Sequence, residues 1–155
     1  MRIRTLIVAS YLLVATGCGE GRPTRVPVSG RVTIDGEPLR YGYVRFVPEG
    51  ARPSGGRLDA DGKFSLSCYA DADGAVLGAH KVSVHAAEPK PGKGLYWHAP
   101  KTYRRYDTSE IEVEIEGPTD AVAIDLTWNG GQPYLEEAAD QPVIHVPDGP
   151  LQPSS

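Results

Sequence analysis

Glu110-Ile111-Glu112-Val113-Glu114-Ile115-Glu116 decides the fold class. Apolar and acidic residues alternate with a period of two, which places Ile111, Val113 and Ile115 on one face of an extended strand. Four glutamates on the opposite face must be solvated, so the sheet holding this strand has one wet side. The same alternation continues outward in both directions. Ala121–Trp128 turns Val122, Ile124, Leu126 and Trp128 inward, and Ala79–Ala87 buries Val82 and Val84. Lys63–Tyr69 places Phe64, Leu66 and Cys68 on one face, which makes Cys68 a small buried hydrophobe rather than a reactive thiol.

Further towards the N-terminus lie a short extended piece, Gly56–Asp59, and Tyr41–Pro48, with Val44 and Phe46 inward and Tyr43 and Arg45 outward. Val26–Ile34 completes the set, with Val26, Val28, Val32 and Ile34 on the buried face and Pro27 marking a sheet edge. Asp35-Gly36 and Asp61-Gly62 are hairpin dipeptides that tolerate positive φ. No convincing i, i+3, i+4, i+7 apolar stripe occurs, while 18 Gly and 14 Pro punctuate the chain at the spacing of short strands. The expectation is an all-β domain over 26–128, a seven-stranded antiparallel β-sandwich with two sheets packed face to face. Residues 88–109 form its longest irregular stretch. Residues 129–155, rich in Pro, Gln and Asp, bury too little apolar surface to offset their ordering entropy and are expected to be disordered. Val143–Val146 is the one short run there that suits a transient edge strand.

The N-terminus has the layout of an export signal. Arg2 and Arg4 precede an apolar run, Leu6–Val14, that is short for a permanent bilayer span. Ala15-Thr16-Gly17-Cys18 then resembles the lipobox of bacterial lipoproteins. That resemblance implies cleavage after residue 17, diacylglycerol on Cys18, and acyl chains such as palmitate as the membrane anchor. Residues 18–25 read as the lipidated cysteine and a flexible spacer. Gly19 implies an outer-membrane, periplasm-facing position, since an aspartate there favours retention at the inner membrane.

With Cys18 acylated, Cys68 has no partner for an intramolecular disulfide. Loss of Arg2 and Arg4 with the signal takes the formal charge from −4 to −6. An acidic chain of this kind does not suit nucleic acid as a partner, nor electrostatic adhesion to anionic headgroups.

Val28-Ser29-Gly30-Arg31-Val32-Thr33, Asp35-Gly36-Glu37-Pro38-Leu39 and Val44-Arg45-Phe46-Val47-Pro48 resemble the opening of carboxypeptidase-regulatory-like and transthyretin-like domains. Asp59-Ala60-Asp61-Gly62-Lys63-Phe64 and Gly78–Val84 fit the same scheme, so the resemblance covers residues 26–87. It implies a prealbumin-like or immunoglobulin-like sandwich used as a stabilising or adhesive module, and no particular substrate. A transthyretin-related hydrolase of 5-hydroxyisourate carries a C-terminal Tyr-Arg-Gly-Ser. Tyr103-Arg104-Arg105-Tyr106 lacks its glycine and serine and lies mid-chain. That activity would need His, Arg and Ser side chains to converge in a pocket, which the sequence does not show.

Other constellations favour structure over chemistry. Asp59-x-Asp61-Gly62 and Asp71-x-Asp73-Gly74 lack the twelfth-position Glu of a calcium loop and read as turns. His80, His85, His98 and His145 have no metal-ligand spacing, and no Gly-x-Ser-x-Gly or Ser-x-x-Lys motif is present. No cofactor, metal or catalytic residue is therefore expected, and the chain reads as a non-enzyme whose partners are a membrane, through Cys18, and an envelope protein or glycan.

One segment gathers aromatics and cations in an acidic chain: Tyr96, Trp97, Lys101, Tyr103, Arg104, Arg105 and Tyr106. They are the candidate binding residues for a glycan or an acidic partner. The competing reading has Trp97, Tyr103 and Tyr106 covering an open end of the sandwich while the cations face water.

Overall fold

The computed structural model describes residues 23–137 and is all-β, with several antiparallel sheets. The signal segment, Cys18, His145 and the rest of the tail beyond residue 137 lie outside the described residues. One sheet has the order β11-β8-β4-β5, from β4 (Tyr43–Pro48), β5 (Ser54–Arg57), β8 (Gly78–His85) and β11 (Ile111–Ile115). Its pairs are all antiparallel, with Val44 opposite Val84 and Phe46 opposite Val82, so two neighbouring strands turn their apolar residues to the same side. The second sheet centres on β2 (Val28–Ile34), with β12 (Thr119–Leu126) on one edge and β3 (Glu37–Pro38) and β6 (Lys63–Ser65) on the other.

The two sheets bury a common core. Val28, Val32, Phe64, Ile124 and Leu126 from one join Val44, Phe46, Val82, Val84 and Ile115 from the other. Phe46 and Phe64 meet across it with ring centroids 5.9 Å apart. Each large apolar side chain so buried contributes about 2 kcal/mol relative to exposure. The arrangement is consistent with a β-sandwich. The glutamates 110, 112, 114 and 116 are exposed, and β11 is an edge strand. Its charged row discourages pairing with another chain.

Several strands depart from the sequence expectation. β12 pairs with β2 in parallel, Ile124 opposite Val32 and Leu126 opposite Ile34, where an antiparallel set was expected. No short hairpin joins these strands, so nothing local dictates their relative direction. Pro27, without an N–H, divides the first expected strand into β1 (Arg25–Val26), which pairs with β7 (Ala75–Val76), and β2.

Residues 88–109 are not wholly irregular. They contain most of a hairpin of β9 (Ala87–Lys90) and β10 (Gly94–Trp97), turned by Pro91-Gly92 with the Lys93 amide donating to the Lys90 carbonyl at 2.9 Å. The segment after Trp128 contains β13 (Tyr134–Glu137), which adds to β10 as an outer strand. With these additions the described residues hold thirteen strands, several of them only two to four residues long.

The turns behave as their composition dictates. Asp35 and Gly36 take φ of 49° and 84°, the positive pair that closes a two-residue hairpin. Asp59 Oδ1 accepts the amides of Asp61 and Lys63, both at 2.8 Å. Asp73 accepts the Cys68 amide at 2.6 Å and the Arg25 guanidinium at 2.8 Å. Both carboxylates thus serve turn amides. Cys68 is 9% exposed, with its thiol 3.7 Å from the Arg52 carbonyl.

His80, on the same face of β8 as Val82 and Val84, enters the core as a polar side chain. It is 1% exposed and packs against Phe46, and its Nε2–H donates to the Val76 carbonyl at 2.9 Å. A carbonyl only accepts, so Nε2 carries the proton in this bond, and Nδ1 has no hydrogen-bond partner among the described residues.

Candidate functional site

The segment rich in aromatics and cations divides into a packed half and an exposed half. Trp97, at the end of β10, is 1% exposed. Its indole N–H donates to Glu136 Oε2 at 2.8 Å, while Glu136 Oε1 accepts from Lys101 at 2.5 Å. Lys101 and Arg104 also lie over the indole, 5.1 and 5.9 Å from its centroid. The hydrogen bond from Lys101 holds Glu136 below the usual carboxylate range, with the indole adding to the effect, and Lys101 is raised in return.

Tyr96 points to the other face of the same strand, edge-on to His98 at 4.8 Å. His98 stacks on Tyr41 and meets Glu88 at 2.9 Å, and Glu88 also accepts from Lys90 at 2.5 Å. Tyr103 packs partly buried against the core. Its hydroxyl sits 3.3 Å from the Thr127 carbonyl and 3.2 Å from the Thr127 amide, donating to one and accepting from the other. Tyr96, Trp97, Lys101 and Tyr103 therefore have internal partners.

Arg104, Arg105 and Tyr106 face outward. Arg104 ends a 3-10 turn, Lys101–Arg104, and Arg105 and Tyr106 follow it, in a loop closed by reciprocal bonds between Thr102 and Thr108, at 3.1 and 2.7 Å. Ser109 Oγ then donates to the Val82 carbonyl, which fastens the loop to β8. Tyr106 is 49% exposed and does not cover the end of the domain. The loop instead forms one wall of a cleft of about 470 Å³ whose floor is the outer face of β4 and β8. Tyr43 stands opposite His85 on that floor and Arg45 opposite Ser83.

The cleft therefore gathers Arg45, His85, Arg104 and Arg105 between Tyr43 and Tyr106. Its one carboxylate, Asp107, is engaged with Arg105 at 2.9 and 2.5 Å. Arg45 and Arg104 form no direct ion pair among the described residues, and Arg104 acts on Glu136 only through its charge at longer range. Desolvation lowers the His85 imidazole below its ordinary value, and the nearby Arg104 charge lowers it further.

No family model, no curated protein and no solved structure matches this chain. The geometry of the cleft has to carry the functional reading.

Sequence patterning placed Tyr43 and Arg45 outward but had no means of seating Arg104–Tyr106 beside them. That juxtaposition depends on the β4–β8 register and on the fold of the loop. It also brings His, Arg and Ser types together, which the sequence did not show. Ser83 is 6% exposed, and no hydrogen bond joins it to His85, so the two do not form a nucleophile–base pair. Among the described residues, no three His, Cys, Asp or Glu side chains assemble as a metal-ligand set. Guanidiniums, an imidazole and exposed phenol rings suit the recognition of an anion by hydrogen bonds and stacking.

Proposed function

We propose that this chain is a non-catalytic, lipid-anchored module of the cell envelope. In this reading a prealbumin-like or immunoglobulin-like sandwich of seven principal strands presents a binding face to an envelope protein or glycan. The observation that carries it is the cleft itself, in which cations and exposed rings are mounted on a sheet and a cross-braced loop without a nucleophile joined to a base. The Ala15-Thr16-Gly17-Cys18 motif supports acylation at Cys18 and an outer-membrane, periplasm-facing address. The acidic balance supports a partner other than nucleic acid. The carboxypeptidase-regulatory-like and transthyretin-like resemblance is supported by two facing sheets on one core.

The test of the anchor is metabolic labelling with a fatty-acid probe, followed by fractionation. Wild-type chain should carry label and partition with membranes, while Cys18→Ser should lose both properties. Unlabelled wild-type chain in the soluble fraction would overturn the lipoprotein reading.

The meeting of Ser83, His85 and Arg45 in one cleft favours a second reading, a transthyretin-related hydrolase. Incubation with 5-hydroxyisourate distinguishes the two: the binding reading expects no hydrolysis above buffer, and turnover abolished by His85→Asn establishes the enzyme.

A further inference from the structure

We propose that the cleft between Tyr43, Arg45, His85, Arg104 and Tyr106 binds an acidic polysaccharide, a chain of pyranose rings bearing carboxylate or sulfate. The inference rests on the reading of the chain as a binding module and is independent of the lipid anchor.

Charge is the first argument. In a chain of net charge −4, this face concentrates three arginines and a histidine around one carboxylate that Arg105 already occupies. Arg105 is bound to Asp107, whereas Arg45 and Arg104 form no direct ion pair among the described residues, although Arg104 lies near enough to Glu136 to lower its pKa. Clustered like charges repel, and a polyanion relieves that repulsion while gaining planar guanidinium contacts.

Shape is the second argument. A volume of about 470 Å³ suits a ring-sized ligand better than a lone ion. Tyr43 and Tyr106, 43% and 49% exposed, offer ring faces on which the C–H face of a sugar stacks. Tyr43 keeps its place because Gly55 of β5 has no side chain beneath the ring. A Cβ on Gly55 would lie 2.2 Å from the tyrosine oxygen.

Continuity favours a polymer. A second depression of about 220 Å³ shares Tyr43 and Arg45 and extends to Arg52 and Ser67, so cations recur along the face. The larger depression on the outer face of the other sheet, about 750 Å³, sets Arg31, Arg57 and Lys63 against Asp59 and Asp120 and has no exposed aromatic ring. Its cations are more nearly balanced, and it offers no ring on which a sugar could stack.

Calorimetric titration of the full chain in non-ionic detergent tests the proposal. Polygalacturonate probes carboxylate and dextran sulfate probes sulfate, with neutral dextran and polyglutamate as comparisons. At least one acidic glycan should bind, and neutral dextran should not. Binding should weaken about tenfold or more in Arg45→Gln/Arg104→Gln, and about threefold or more in Tyr43→Ala or Tyr106→Ala. Arg31→Gln/Lys63→Gln removes the same charge elsewhere and should change binding by less than about twofold. Unchanged melting curves exclude misfolding as the cause.

Equal loss in both double variants would reduce the effect to net charge and overturn the proposal. Polyglutamate binding as tight as the glycans, or indifference to both tyrosines, would do the same. If both acidic glycans fail while a photo-crosslinker at position 106 attaches to an envelope protein in cells, the glycan assignment falls and the binding-module reading stands. If glycans and crosslinking both fail, the two fall together.

Discussion

Tyr103 fastens the 3-10 turn to the end of β12, using its ring against the core and its hydroxyl on both backbone groups of Thr127. Tyr103→Ala should therefore destabilise the chain by about 3 kcal/mol in urea unfolding, chiefly from lost burial. Tyr103→Phe keeps the ring and should cost about 1 kcal/mol. A stable Tyr103→Ala variant would show that the loop does not depend on this anchor.

His85 makes a prediction of a different kind. Burial and Arg104 both lower its pKa from 6.5, so the folded chain favours the neutral ring. The corresponding stability is complete above the unfolded value and declines as pH falls below about 6.5, where the unfolded chain takes up the proton more readily. Imidazole NMR should give a midpoint below 6.5 that moves part of the way back in Arg104→Gln. No movement would separate the two residues electrostatically. The sequence revealed His85 as outward but not its neighbour, because a charge distant along the chain enters only through packing.

At the scale of elements, β13 was the hardest strand to foresee. Tyr134–Glu137 has no clean alternation of its own, and it pairs with β10 across a long separation. The hairpin of β9 and β10 did carry a local signal, Pro91-Gly92, which the surrounding polar composition obscured. β11 was legible because a charged face beside an apolar face needs no tertiary partner to be recognised. The bond from Trp97 to Glu136 gives β13 a measurable weight. Glu136→Ala strands a buried indole N–H and should cost about 1–3 kcal/mol. Lys101→Ala removes an exposed ion pair and a cation–π contact with the same indole and should be the milder change of the two. Thermal unfolding of both variants checks the order, and the reverse order would dismiss the indole bond as an anchor. Gly55→Ala tests β5: its Cβ meets the far end of the Tyr43 side chain. The ring should swing away with a modest change in stability, visible as a shift in Tyr43 resonances.

For the whole molecule, acid is the condition that opposes the fold. Asp73 is the clearest case: burial disfavours its charge, but the amides of Cys68, Tyr69 and Ala70 and the Arg25 guanidinium outweigh burial and hold its pKa below 3.8. A lowered carboxylate contributes stability that is present above its unfolded pKa and is lost as pH falls through the folded value. Stability should thus hold at neutral pH and fall below about pH 4, with a shallower fall in Asp73→Asn; acid titration followed by circular dichroism reads both. Cys68 reports on the intact core, resisting a thiol reagent until denaturant is added; rapid native labelling would contradict its burial. By itself the sequence determined the all-β class, the inward residues of the central strands and the Asp-Gly turns, because alternation and turn chemistry act over a few residues. Only the tertiary structure decided the parallel β2–β12 pairing and the seating of Arg104 and Tyr106 beside Tyr43 and Arg45. Each of these depends on which strands meet and in what register, a choice made by the packing of the whole core rather than by any local run of side chains.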